Sequence, residues 1–240
     1  WEWAKTNTGY GVGEINDVVL DDSANVYAIG NSTGHQIFGD DTIRSLGNYD
    51  GILMKYDSSG LRKWTKLLGA TQKDHGYSIS IDKEGYIYIC GTFRDSMYID
   101  DIKIKTQSGL RDMYIAKLDR NGELKWIRNF NKSGDLLVAK EILCDNNGNL
   151  YCLGGVVSNY STINLNFDNN QATLNKGELF LLKMDTSGSV KWLRRVGGMA
   201  KESDEVGKSL GIIKDSLIYV VGEYDRSFTI GNVALETSYM

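Results

Sequence analysis

The pattern Lys-x-Asp-x-x-Gly-x-x-x-Trp occurs three times in this chain, as KYDSSGLRKW (55–64), KLDRNGELKW (117–126) and KMDTSGSVKW (183–192). A fourth tryptophan in similar company, Trp3 of WEWAK, lies 61 residues before Trp64, and the next two intervals are 62 and 66. Self-similarity at a near-constant period is the signature of a repeat architecture. It restricts the chain to folds made by stacking one supersecondary unit.

A second landmark keeps the period. VYAIG (26–30), IYICG (87–91), LYCLG (150–154) and IYVVG (218–222) align Tyr27, Tyr88, Tyr151 and Tyr219, and also Gly30, Gly91, Gly154 and Gly222. Each run is short, apolar and closed by glycine, which predicts a strand buried on both faces and ending there. Upstream lie VVLD, ISID and ILCD, joined to these runs by turn residues, so each pair predicts a tight antiparallel hairpin. A second hairpin follows an acidic residue (Asp50, Asp112, Glu178): ILMKYD, YIAKLD or FLLKMD, then D-x-x-G, then the tryptophan strand. Gly60, Gly122 and Gly188 supply the positive φ that closes it. Between the hairpins sits a smaller alternating element: IFGDDTIRSL, MYIDDIKIKT, INLNFDNNQATL or FTIGNVALET. No stretch of helical length has a 3.6-residue apolar period.

A unit of about sixty residues with four main strands cannot bury both faces of its sheet alone, whereas radial stacking of such units does so. The fold class expected is therefore all-β, a β-propeller of four-stranded antiparallel blades. A linear solenoid is set aside because its repeats are typically much shorter. The landmarks divide one domain, 1–240, into a partial blade 1–14, blades at about 15–75, 76–137 and 138–206, and a partial blade 207–240. The last unit stops at FTIGNVALETSYM, before the strand its sisters place next. The reading is a segment of a larger, about seven-bladed ring, whose end blades expose apolar faces that associate.

The unit GYSISIDKEGYIYICGTF (76–93), followed by DMYIAKLDRNGELKW (112–126), resembles the bacterial β-propeller repeat called SBBP. The resemblance recurs along nearly the whole chain. It implies a blade architecture and a usual home on secreted or cell-surface bacterial proteins, and it implies no reaction. Departures are local: GGVVSNYSTINLNFDNN (154–170) is longer than its counterparts, and Glu178 replaces the aspartate of Asp50 and Asp112.

Composition narrows the function classes. The net charge is −4, with both signs interspersed and no basic stripe, so a nucleic-acid partner is not expected. No apolar run approaches 18 residues, so no membrane span is expected in this segment. Proline is absent where average usage would give about twelve, so chain reversals rest on Gly, Asn, Asp and Ser. Cys90, Cys144 and Cys152 occupy positions where sister repeats carry isoleucine, which reads as core thiols. A Cys144–Cys152 bridge between paired strands stays open for an exported protein.

Catalytic readings find little support. His35 and His75 fall in polar stretches that read as loops. The doublets Asp21-Asp22, Asp40-Asp41 and Asp100-Asp101 adjoin turns, where aspartate bonds its own backbone. Paired glycosidase carboxylates from different blades stay open as an axial site. DRNGE (119–123) and DNNGN (145–149) partly match calcium loops but lack the full ligand set and closing Glu. Quinoprotein repeats place Gly four and Trp eight after the Asp, and sialidase boxes two and five. Here Asp57 precedes Gly60 by three and Trp64 by seven, and hairpin register changes with each inserted residue.

No catalytic residue, metal ligand or cofactor is therefore expected. The periodic tyrosines and tryptophans read as packing between blades, and the third insertion, Asn159–Asn170, as the better ligand candidate. The functional expectation is a non-catalytic extracellular or cell-surface module binding a protein or glycan at a propeller face. The alternatives are an enzyme with an axial site, quinoprotein-like or glycan-active, and a passenger or subunit of an outer-membrane export or adhesion machine.

Overall fold

The computed structural model describes residues 3–6, 8–38, 41–106, 109–130, 137–157, 162–168, 170–197, 209–213, 217–222, 227–230 and 233–236. All regular structure in them is β. After β1 (Thr8–Tyr10), the first repeat runs through β2 (Gly13–Leu20), β3 (Val26–Ser32), β4 (His35–Phe38), β5 (Asp41–Arg44), β6 (Asp50–Tyr56) and β7 (Arg62–Gly69). The second comprises β8 (His75–Ile81), β9 (Ile87–Arg94), β10 (Ser96–Ile99), β11 (Ile102–Lys105), β12 (Arg111–Leu118) and β13 (Leu124–Asn129). The third comprises β14 (Leu137–Cys144), β15 (Asn149–Val156), β16 (Thr162–Phe167), β17 (Asn170–Asn175), β18 (Leu179–Asp185) and β19 (Val190–Gly197). A fourth contributes β20 (Ser209–Ile213), β21 (Leu217–Val221), β22 (Ser227–Ile230) and β23 (Val233–Glu236).

Each of the first three repeats forms a four-stranded antiparallel blade, ordered β2-β3-β6-β7, β8-β9-β12-β13 and β14-β15-β18-β19. The first strands of successive blades pack side by side, β2 with β8, β8 with β14 and β14 with β20, and so form the inner edge of the arc. The tryptophan strands lie outermost. Cores form between blades rather than within them: Tyr27, Ile29 and Leu53 of the first blade share one cluster with Ile79, Ile87 and Ile89 of the second. The second and third blades meet in the same way around Tyr88, Cys90, Ile142 and Cys152. This is a β-propeller arrangement, open among the described residues.

Three of the four aligned glycines do not end their strands, contrary to expectation: β3, β9 and β15 continue past Gly30, Gly91 and Gly154 to Ser32, Arg94 and Val156, whereas β21 stops at Val221, just before Gly222. Their role is close approach. Each inner strand carries a bulge opposite the glycine, between Ile15 and Asp17, Gly76 and Ser78, and Ala139 and Glu141. The bulge drives a backbone carbonyl against the partner strand. A Cβ on Gly30 or Gly91 would stand 1.9 Å from the Glu14 or His75 carbonyl oxygen, and one on Gly154 would stand 2.6 Å from that of Val138.

Both hairpin turns of every blade lie at one end, hereafter the turn face. Gly60, Gly122 and Gly188 have φ of 79°, 85° and 88°, as the D-x-x-G spacing predicts. In the inner hairpin Gly85 and Gly148 likewise have φ of 83° and 74°, but the first repeat places Ala24 there with φ of 57°. A left-handed conformation costs a non-glycine residue about 1 kcal/mol or more. Ala24→Gly is therefore expected to raise the unfolding free energy by about 0.5 kcal/mol, the unfolded chain's extra freedom offsetting part of the relief. Urea denaturation of the two proteins measures it.

The small alternating elements form hairpins at the opposite end, the insertion face, and they reach the preceding repeat. Strand β10 pairs with β7 of the first blade, Tyr98 opposite Gly69 and Ile99 opposite Leu68. Strand β4 pairs in the same sense with β1, and β22 packs against β19. The cation two residues after Trp64 and after Trp126 meets the next hairpin's turn: Lys66 bonds Asp100 at 2.6 Å, and Arg128 bonds Asp168 at 3.0 Å. Asp100 thus joins two blades rather than capping its own turn alone.

The cysteines are free, with Cys90 and Cys152 buried and Cys144 half-buried. Cys144 stands opposite Leu150 and Cys152 opposite Ile142. The two thiols are diagonal neighbours, a spacing beyond the reach of a disulfide.

Candidate functional site

On the turn face one constellation repeats. Tyr27, Lys55 and Trp64 are cross-strand neighbours, as are Tyr88, Lys117 and Trp126, and Tyr151, Lys183 and Trp192. The tyrosine and tryptophan rings lie 6.1, 6.2 and 6.2 Å apart, and each lysine ammonium sits about 5 Å from its tyrosine ring centroid. The tyrosine hydroxyls donate to the turn aspartates Asp21, Asp82 and Asp145.

Each tryptophan then seats on the following blade. Trp3 packs on Gly60, Trp64 on Gly122 and Trp126 on Gly188. Trp3 Nε1 donates to the Ser58 carbonyl and Trp126 Nε1 to the Thr186 carbonyl, both at 3.1 Å. At the intervening junction the equivalent carbonyl, Arg120, accepts from Lys55 Nζ at 2.9 Å. These aromatics lock blades together.

The turn carboxylates are equally committed. One Oδ of Asp57, Asp119, Asp145 and Asp185 accepts the amides two and four residues on. Lys63, Lys125 and Lys191 pair with the other oxygen of Asp57, Asp119 and Asp185. The Lys63 ammonium holds Asp57 well below the ordinary carboxylate range. The segments resembling calcium loops are therefore hairpin caps whose carboxylates already have partners. No group of three or more His, Cys, Asp or Glu side chains is disposed for a metal among the described residues.

Along the inner edge a second device recurs. Asp17 accepts the Ile79 amide at 2.9 Å, Ser78 the Ile142 amide at 3.2 Å, and Glu141 the Leu210 amide. Three residue types do one job at equivalent positions. Sequence comparison of repeats does not find them, because nothing in their identity is shared.

Four acidic side chains are buried where blades join: Asp50, Asp74, Asp112 and Glu178. Asp74 accepts the Ala70 amide at 2.8 Å and the Arg94 amide at 3.0 Å, and Asp50 accepts from Ser45, Leu46 and Gly47. Burial pushes Asp74 up to about 7, with Asp50 and Asp95 adding to the rise against those two amides. Because 7 lies above the free value of 3.8, the associated stabilisation is complete below pH 3.8 and is lost as pH rises through 7. Unfolding free energy is expected to fall by about 2 kcal/mol between pH 5 and pH 8. Asp74→Asn should flatten that slope in urea titrations. With both carboxyls of the Asp50–Asp74 pair fully buried, neither is placed to act on a substrate.

What does not repeat is a better guide to a ligand. His35 and His75 both lie in strands, β4 and β8, rather than in loops, because the pairing extends upstream of the apolar runs. On the insertion face the His75 ring stands between Tyr49 and Tyr77, at 5.0 and 5.5 Å, and stacks parallel to Tyr77 to within 3°. Lys140 of the third blade lies 4.5 Å over Tyr77, and the Tyr49 hydroxyl reaches Glu14 at 3.4 Å. Tyr77 and Lys140 are the extra residues of their bulges, which re-aims them relative to the strand. This half-buried row crosses three blades. On the turn face a groove of about 250 Å³ lies between Asp21–Ser23 and Lys83–Gly85, roofed by Arg120, whose Nη2 donates to the Glu84 carbonyl. Of the third insertion, 158–161 and 169 lie outside the described residues, and Asp168 is held by Arg128 and the Val190 amide.

Two comparisons with known sequences agree with this architecture. Residues 63–92 match the family model described as a β-propeller repeat, SBBP, so the chain carries a propeller repeat of that type. An uncharacterised WD repeat-containing protein of Acanthamoeba polyphaga mimivirus is 26% identical over 208 residues, covering 77% of this chain. The chain spans 15% of that protein's length. A protein of unknown function from Bacteroides caccae is matched among solved structures at 12% identity and a TM-score of 0.26, over 76% of this chain and 82% of that one.

Proposed function

We propose that this chain is a non-catalytic binding or scaffold module that receives a protein partner on its insertion face, at the outside of a bacterial cell. The observation carrying this reading is the Tyr49–His75–Tyr77–Lys140 row, assembled from three blades by residues that the repeat does not require. Half-buried aromatics beside a cation combine large contact area with low side-chain entropy, which is the composition of interface hot spots. A propeller repeat and a WD-repeat relative fit a binding role. The export assignment rests on the usual setting of SBBP repeats.

The test is a quantitative affinity purification with the native chain, Tyr77→Ala and Lys140→Ala, each first shown to keep its unfolding midpoint. A partner retained by the native chain and depleted about tenfold by both variants supports the proposal. Identical recoveries would overturn it. A glycan array run on the same three proteins separates a sugar ligand from a protein one.

A further inference from the structure

Asp50 Oδ2 takes three donors, from Ser45, Leu46 and Gly47, whereas its Oδ1 is buried without one. That oxygen lies against Gly69, 2.2 Å from where a Cβ there would stand. The next amide, Ala70, bonds Asp74 Oδ2 at 2.8 Å and, against the burial that raises Asp50, also favours that group's ionised form. Two carboxyls, both wholly shielded from solvent, thus converge on one N–H. Like charges in one buried site leave one of the groups protonated, and a proton on Asp74 supplies the donor that Asp50 Oδ1 lacks. The repeat does not require this arrangement: at the next junction Asp112 stands in place of Asp50 and Leu137 in place of Asp74.

The pair adjoins the docking row. Tyr49 precedes Asp50, and His75 follows Asp74. The Asp74 amide donates to the Tyr49 carbonyl at 2.7 Å, and Tyr49 bridges to Lys73. Gly47 packs on the carbonyls of Ala70 and Gln72. Segments 45–49 and 70–74 therefore meet backbone to backbone beside the two carboxyls. Burial holds the Asp74 proton most strongly, and Asp50 and then Asp95, between β9 and β10, add to it. Tyr114 of β12 also lies within reach of the Asp74 charge. Lys73 and His75 flank Asp74 along its own chain, and Arg94 of β9 meets it through its amide.

We propose that Asp50 and Asp74 hold one proton between them, and that its loss parts the two segments, unseats Tyr49 from His75 and weakens partner binding on the insertion face. The device rests on the reading of that row as a docking site. Acid solution keeps the row assembled, and rising pH releases the partner. The sign follows from linkage, since the folded pair holds its proton more tightly than the opened chain does. With Asp74 at about 7, affinity is expected to fall about tenfold between pH 6 and pH 8.

Carboxyl-carbon NMR signals of the native chain, followed across neutral pH, test the shared proton. Both signals should move together in one step near pH 7. The nuclear Overhauser contact between the Tyr49 and His75 rings, 5.0 Å apart, should fade over the same step. Asp74→Asn, whose amide keeps a donor for Asp50 Oδ1, should hold that contact at every pH. Carboxyls that both titrate below about pH 5 overturn the proposal whether or not the variant folds. So does a ring contact indifferent to the step, or a fading that persists in Asp74→Asn and so belongs to His75 itself. The partner defined by the Tyr77→Ala and Lys140→Ala comparison is then recovered at both pH values. About tenfold lower recovery at pH 8 from the native chain, and equal recovery from Asp74→Asn, support the proposal. Equal recovery from the native chain overturns it and leaves the docking row standing. No retention at either pH removes the docking site and, with it, the release step, while the carboxyl and ring signals still report on the shared proton.

Discussion

Replacing Gly91 by alanine is expected to lower the unfolding free energy by about 3 kcal/mol or more, the largest loss of any single-methyl addition proposed for this chain. The added Cβ would lie 1.9 Å from the His75 carbonyl oxygen and 2.8 Å from the Tyr114 ring and hydroxyl. Neither neighbour can move cheaply. The carbonyl belongs to the inner strand just before its bulge, and Tyr114 is fully buried between the first two blades. Relief requires separating β8 from β9, which also disturbs the inner edge where β8 touches β2 and β14. Gly109→Ala is a fitting control for side-chain addition alone, since its nearest neighbour would be 3.7 Å away, although its φ of 70° adds a conformational cost. The comparison is made by urea denaturation, and a Gly91→Ala midpoint equal to the native one would remove the close-approach explanation of the aligned glycines.

Trp126→Ala is expected to cost about 3 kcal/mol. The side chain is only half-buried, which places it at the low end for a tryptophan truncation, but it makes three kinds of contact at once. It packs on Gly188 of the next blade, lies at 49° to Tyr88 in its own blade, and donates to the Thr186 carbonyl. Trp126→Phe should recover most of the packing and lose the hydrogen bond, at about 1 kcal/mol. An unmoved midpoint in the alanine variant would mean that the periodic tryptophans do not join blades and are open to a ligand.

Much of the fold was legible in the sequence because its signals are local. A strand needs only its alternation or apolar run, and a hairpin only the aspartate that caps it and the glycine that closes it. Asp57–Gly60 and Asp119–Gly122 behave as their spacing requires. The tryptophan period carried the rest, since a unit of that size must bury its faces on copies of itself. Features set by the curvature of the array were not legible. The insertion hairpin could be recognised as a hairpin, but its pairing with the outer strand of the preceding blade depends on how far apart successive blades splay. The glycines of VYAIG, IYICG and LYCLG read as strand ends because glycine weakens a strand interior, whereas the bulged neighbour supplies the real constraint.

The site was less legible still. His75 looks like a loop residue because the apolar run begins only at Ile79, yet hydrogen-bonded pairing starts at His75 itself. Nothing in the chain order brings Tyr49, His75 and Lys140 together; the stacking of inner strands β8 and β14 and the bridge from Tyr49 to Lys73 do. Asp17, Ser78 and Glu141 are illegible for the opposite reason, since they hold equivalent positions in successive repeats but differ in length and charge. An aspartate, a serine and a glutamate can each present an oxygen to the next blade's amide when the bulge adjusts the distance.

The central claim is that each tryptophan keys into the blade after its own, and nuclear Overhauser contacts from the indole protons test it most directly. The predicted contacts run from Trp3 to Gly60, Trp64 to Gly122 and Trp126 to Gly188, three links of nearly constant sequence separation. Contacts from Trp64 to Gly60 and from Trp126 to Gly122 in their place, each indole folding back on the turn of its own hairpin, would contradict the account.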